Sequence, residues 1–137
     1  MFDILIRGGQ VLDGTGAPAV RADVGINGDT IAAVGELSAA ESRSALRVPG
    51  SAFVCPGFID AHSHSDTYIL VEPTAPSKIS QGVTTEVIGN CGVSAAPMAG
   101  AFHLPSDWAD KTYPGAWRTV AEYRGVLDQV RPAVNVV

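Results

Sequence analysis

The sequence predicts an α/β protein: a short β unit followed by the first strands of a parallel α/β barrel. Three observations predict it. The first fifty residues break into short extended segments punctuated by turn signals. The remainder alternates apolar β-branched runs with helical periodicity, the pattern of βαβ units. Both recognisable polar clusters, Asp60-Ala61-His62-Ser63-His64 and Gly89-Asn90-Cys91-Gly92, lie just beyond predicted strands, where barrels place their chemistry. An open parallel sheet would place ligands at the same ends, so the polar clusters favour the barrel without excluding it.

The elements follow in order. Phe2 to Arg7 alternates and ends at Gly8-Gly9, and Val11-Leu12 is followed by Asp13-Gly14. Ala22–Ile26 and Thr30–Val34, joined by Asn27-Gly28-Asp29, predict a hairpin, because Asn-Gly tolerates the positive φ that tight turns demand. A further short strand is predicted over Ala45–Val48. Beyond Pro49-Gly50, the nearly unbroken apolar run Ala52 to Ala61 suits a parallel strand covered on both faces. Pro73 to Gln81 can form a short helix that Gly82 ends. Val83 to Ile88 is β-branched and apolar. Ser94 to Trp117, with Pro97, Pro105 and Pro114, reads as a long irregular loop. Thr119-Val120-Ala121-Glu122 has the form of a capping box, and Val120, Tyr123, Leu127 and Val130 recur at helical spacing, which predicts a helix over 120–130. Pro132 stops it, and Ala133 to Val137 starts another strand. The boundary between the β unit and the βα units is placed after residue 51, giving 1–51 and 52–137.

Composition narrows the function. The chain has 137 residues, 46% hydrophobic and 17% charged, enough to bury a core. Its net charge of -5 and nine dispersed Lys and Arg argue against nucleic acid as a partner and favour a small molecule. No apolar run reaches the 18 residues a membrane span takes, and the alternating N-terminus lacks the apolar segment of a secretory signal, so a cytoplasmic location and no membrane association are expected. Two cysteines make no disulfide scaffold; in a reducing compartment each is a buried thiol or a metal ligand.

The chemistry-bearing residues are His62, His64 and Cys91. Positions i and i+2 of an extended segment face the same way, so His62 and His64 can offer ring nitrogens to one metal. Cys91, after the next strand, can converge on the same rim. Imidazoles with a thiolate suit zinc. Cys55 lies inside the apolar run and reads as core packing. Asp60 and Asp66 flank the histidines; either could accept a ligand histidine's second N–H, or simply end a strand or cap the next segment. His103 reads as a solvent-exposed loop residue, and Glu86 as an outward-facing charge.

Three segments, Phe2 to Gly9 with Val11 to Gly16, Pro56 to Asp66, and Gln81 to Ser94, resemble the amidohydrolase superfamily and, through Gly-Asn-Cys-Gly, its N-acyl-D-amino-acid deacylase (D-aminoacylase) family. The resemblance extends over nearly the whole sequence. It implies part of a small β-sandwich in the first half-hundred residues and then the start of a metal-dependent hydrolase (β/α)₈ TIM barrel. It also implies zinc, with Cys91 in the tightly held site and His62 and His64 lining a weaker second position. The activity implied is hydrolysis of the linear amide of N-acyl-D-amino acids by a metal-activated water, with an aspartate as general acid/base. In the family that aspartate and two further histidine ligands lie downstream, and no histidine follows His103 here. No catalytic residue is therefore assigned within these residues. A full barrel takes about 250 residues, so the barrel is incomplete, its apolar faces and strand edges are uncovered, and useful activity is not expected of these residues alone. The missing C-terminal part of the barrel is the implied partner. The competing readings are another amidohydrolase of the hydantoinase, dihydroorotase or D-dipeptidase type, which Cys91 argues against, and a non-catalytic remnant or split-gene subunit.

Overall fold

A computed structural model describes residues 1–98 and 109–137; the expectation for His103 lies outside them. The polypeptide forms two compact units, Met1–Pro56 and Gly57–Val137.

In the first unit a mixed sheet is organised around β1 (Phe2–Val11), which has β2 (Val20–Asn27) along one edge and β3 (Thr30–Gly35) beyond it. β1 and β2 are antiparallel, Leu5 opposite Gly25. The other edge of β1 is shared: β4 (Ser42–Arg47) runs parallel to Phe2–Arg7, and β5 (Phe53–Val54) runs parallel to Gln10–Val11. A bulge between Ile6 and Gly9 separates the two halves. Gly8 takes a φ of 90° there and its N–H donates to Asp23 Oδ1 at 2.9 Å. Leu5, Val11 and Val24 are buried. The Asn27-Gly28 hairpin forms as the sequence predicts, with Gly28 at φ 58° and its N–H donating to Asp3 Oδ2 at 2.9 Å. The Arg7 guanidinium donates to the carbonyls of Ser38 and Ala40, both at 2.8 Å, which pins the segment leading into β4.

In the second unit β6 (Phe58–Asp60), β7 (Val83–Glu86) and β8 (Asn135–Val136) form a parallel sheet in that order. Between β6 and β7 lie α1 (Tyr68–Val71) and α2 (Pro76–Ile79); α3 (Val120–Val130) precedes β8. The core gathers Ile69, Leu70, Trp117, Tyr123, Val126 and Val134, with Trp117 edge-on to both Tyr113 and Tyr123 at 5.5 and 5.6 Å. α3 is capped as predicted: Glu122 N–H donates to Thr119 Oγ1 at 3.2 Å, and Thr119 N–H donates to Glu122 Oε2 at 2.9 Å.

The structure corrects three readings. The apolar run from Ala52 to Ala61 is two strands, because β5 pairs with β1 and β6 begins only after Pro56-Gly57. Phe58 and Ile59, expected to be covered on both faces, remain 59% and 66% exposed. Cys55, read as core, is exposed in the connection between the two strands. The short helix read over 73–81 forms as α2, a single turn that starts at Pro76, because Pro76 disfavours helical backbone at the residue before it and Ala75 sits at φ 43°. Gly82 follows with φ 78°.

Candidate metal centre

Parallel strands end at the same edge of their sheet, so the segments that leave β6 and β7 lie side by side. The pairing continues past both strands: Val87 N–H donates to the Asp60 carbonyl at 2.8 Å and Ser63 N–H to the Val87 carbonyl at 3.0 Å. This brings residues 62–65 alongside residues 87–91.

The Cys91 segment is shaped by a tight turn. Cys91 and Gly92 both take positive φ, 56° and 73°, as the two central residues of a type I′ turn must. Val93 N–H closes the turn onto the Asn90 carbonyl at 2.9 Å. A non-glycine residue in this region is uncommon. Asn90 ties the turn to both strands' extensions, its Nδ2 donating to the Ser63 and Val87 carbonyls at 3.2 and 2.9 Å.

The outcome is a cluster of His62, His64 and Cys91 whose ligand atoms all lie within 4.8 Å of one another. His62 Nε2 is 3.0 Å from Cys91 Sγ, and the two imidazole rings stand 5.3 Å apart at 65°. All three side chains are exposed, so an ion and a substrate can reach them. Two imidazoles and a thiol at this separation fit zinc, which takes nitrogen and sulfur donors in tetrahedral sets and leaves room for further ligands in catalytic sites.

Asp60 lies beneath the histidines. Its Oδ1 accepts the His62 N–H at 3.2 Å and its Oδ2 pairs with Lys78 Nζ at 2.5 Å. The Lys78 ammonium and the His62 amide hold the Asp60 carboxyl below its usual range. Burial pushes Lys78 down, but hydrogen bonds to Asp60 and Glu86 outweigh it and its ammonium is held above the usual value.

Glu86, read from sequence as an outward charge, is 0% exposed. It accepts from Ser65 Oγ at 2.6 Å and Ser63 Oγ at 3.3 Å and pairs with Lys78 at 3.2 Å. Asp66 is also 0% exposed. Its Oδ1 accepts the N–H groups of Gly89 and Ala95 at 3.0 and 3.3 Å, so one carboxylate grips both ends of the loop bearing Cys91. The buried Tyr123 hydroxyl donates to the Asp66 carbonyl; burial first, then the charges of Asp66 and Glu86, raises its phenol above the usual value. Neither carboxylate accepts a ring N–H from His62 or His64 among the described hydrogen bonds; what they hold is backbone, serine and, for Glu86, Lys78. The strand periodicity could not show this, since period two tells which residues share a face and not whether that face is buried. A cleft of about 770 Å³ lined by Ile88, Ser94, Tyr123, Leu127 and Val136 lies elsewhere in this unit and contains none of the three donors.

No family model matches the sequence. It is 45% identical over 135 residues to D-aminoacylase of Alcaligenes xylosoxydans xylosoxydans and 43% identical to the N-acyl-D-glutamate deacylase of the same organism, each match covering 98% of this chain and 28% of the relative. A crystal structure of D-aminoacylase superposes with a TM-score of 0.87 at 47% identity, covering 99% of this chain and 29% of that one. N-acyl-D-glutamate deacylase from Bordetella bronchiseptica, complexed with zinc and a phosphonate inhibitor, superposes with a TM-score of 0.84 at 42% identity, covering 99% of this chain and 28% of that one. L-Hydantoinase from Arthrobacter aurescens, at 22% identity and a TM-score of 0.51, shares the fold. Sequence and fold together match part of the amidohydrolases. The particular family they match is that of the D-aminoacylases, the N-acyl-D-amino-acid deacylases. The chain spans about 28% of the length of these relatives.

Proposed function

We propose that this chain supplies the first metal ligands of a zinc-dependent hydrolase that cleaves the linear amide of N-acyl-D-amino acids. The observation that carries the reading is the convergence of His62, His64 and Cys91, whose ligand atoms lie within 4.8 Å at the ends of adjacent parallel strands. In this reading residues 1–51 are a portion of a β-sandwich and residues 52–137 the first βα units of a TIM barrel, a division supported by the two compact units Met1–Pro56 and Gly57–Val137. The small-molecule substrate and a cytoplasmic location without nucleic-acid or membrane partners belong to the same reading. Among the described residues no helix is long and apolar enough to cross a membrane.

His62 and His64 would hold the ion through neutral ring nitrogens and Cys91 through its thiolate. Zinc, when bound, supplies the Lewis acidity that makes a water nucleophilic near neutral pH. The protein's own part is to hold these donors still. Asp60 fixes the His62 backbone, Asn90 bridges the two ligand-bearing segments, and Asp66 closes the Cys91 loop.

The test uses the native protein that contains this sequence: zinc content, and hydrolysis of N-acetyl-D- against N-acetyl-L-amino acids and against cyclic amides. Zinc together with preference for the linear amide of the D-amino acid is expected. Turnover confined to cyclic amides, or no metal bound through Cys91, overturns the reading.

A further inference from the structure

We propose that Glu86 is a positioning residue for the metal centre, aligning the His-x-His segment through two serines; this rests on the metal-binding reading above. The sequence His62-Ser63-His64-Ser65 alternates, and the structure uses both sides of the alternation. The imidazoles gather with Cys91 on one side. On the other, the two serine hydroxyls, 2.9 Å apart, meet one buried carboxylate, Ser63 at Glu86 Oε2 and Ser65 at Oε1. A segment outside any strand or helix is thereby held at two points two residues apart, which sets the direction in which the intervening His64 points.

Three further features support the assignment. Glu86 is 0% exposed, and a carboxylate is buried at considerable cost unless its partners are in place. Those partners are not generic, because all but one of them belong to the histidine segment. The remaining one, Lys78, donates to Ser63 Oγ at 3.0 Å and to Asp60 Oδ2 at 2.5 Å, and Asp60 in turn takes the His62 N–H. The network therefore reaches the histidine segment at residues 62, 63 and 65. Finally, Glu86 is the last residue of β7, five positions before Cys91. One carboxylate thus references the histidine segment to the strand that delivers the thiol. Outer partners of metal ligands typically change metal affinity by about 10–100-fold.

The experiment measures zinc affinity by chelator competition, and the cobalt-substituted spectrum, whose thiolate-to-cobalt charge-transfer band reports coordination by Cys91. Variants are Glu86→Gln and, because a buried replacement can fail to fold, the double variant Ser63→Ala/Ser65→Ala, which disconnects the segment while leaving the Glu86–Lys78 pair. Val126→Ala, in the core, serves as the control for lost stability alone. Each folded variant of the network should bind zinc about 10–100-fold more weakly with a shifted cobalt spectrum, while Val126→Ala lowers the melting temperature and leaves both unchanged. Unaltered affinity and spectrum in the double serine variant overturn the positioning role whether or not Glu86→Gln folds. A Cys91-dependent cobalt band that is missing from the unmodified protein overturns the metal reading itself, which separates the two failures.

Discussion

His62 Nε2 and Cys91 Sγ approach to 3.0 Å although 29 positions of sequence separate them. Only parallel pairing of β6 with β7 brings them together, so the contact reports on both the fold and the chemistry. The two cysteines are then predicted to behave differently. Cys91→Ala should weaken zinc binding by about two orders of magnitude or more, at or beyond the upper end for outer partners, and abolish the thiolate-to-cobalt band. Cys55 is exposed and belongs to no donor cluster among the described residues, so Cys55→Ala should leave metal affinity intact and stability within about 0.5 kcal/mol. A Cys91→Ala protein that keeps its zinc would remove Cys91 from the site.

Helix α3 offers a prediction in pH. The Glu122 carboxylate accepts the N–H groups of Arg118 and Thr119 at 2.8 and 2.9 Å; the Thr119 N–H, then that of Arg118, holds its carboxyl below the usual range. A carboxyl lowered in the folded state stabilises above its ordinary value near 4 and loses that stabilisation as pH falls through the folded value. Glu122→Gln should therefore melt earlier than the unmodified protein at pH 7, and the gap should close on acidification below about pH 4. Thr119→Ala should cost about 1 kcal/mol at neutral pH. A Glu122→Gln gap that persists unchanged to about pH 2.5, well below the ordinary carboxyl range, would show the carboxylate bonds to be inconsequential.

Some of this was legible in the sequence because local chemistry decided it. Asn27-Gly28 and the Thr119 to Glu122 box form as written, since turn and cap are set by backbone conformations that neighbouring residues supply. The convergence of His62, His64 and Cys91 was legible because strand ends in an α/β fold share an edge. What failed required tertiary knowledge. Phe53 and Phe58 look like one strand, yet each strand goes to a different sheet, and only the pairing partner decides which. Glu86 looked like a surface charge because a strand pattern carries no sign of a lysine and two serines waiting beneath it. The serines between the histidines were the available signal: hydroxyls alternating with ligands invite an acceptor on the opposite side.

Gly57 is where the backbone of the second unit begins and approaches β7 closely. A Cβ there would run into Thr84 Oγ1 and meet Thr84 Cβ at 2.7 Å, closer than nonbonded atoms tolerate. Gly57→Ala is expected to destabilise by about 1–3 kcal/mol, as overpacking does. Thr84→Gly in the same protein should recover part of the loss. If the double variant is no more stable than Gly57→Ala alone, the contact with Thr84 is not the cause.

The carboxylate of Asp66 gathers the N–H groups of Gly89 and Ala95, and Ala95 is buried with its carbonyl taken by Trp117 Nε1 at 2.7 Å. Removing the acceptor strands a buried donor, which costs about 1–3 kcal/mol, and frees both ends of the loop that carries Cys91. Asp66→Ala should lose stability on that scale, and the Gly89 and Ala95 amides should exchange hydrogen faster than those of β7. Asp66→Asn keeps one acceptor oxygen on the same stem, so it should retain more than half of the lost stability and slow the exchange again. The comparison isolates geometry from charge. Should Asp66→Asn fall as far as Asp66→Ala, the negative charge of Asp66 matters more than its grip on the loop. Should neither variant alter exchange at Gly89, the loop is held by Asn90 and the turn at Cys91-Gly92 alone.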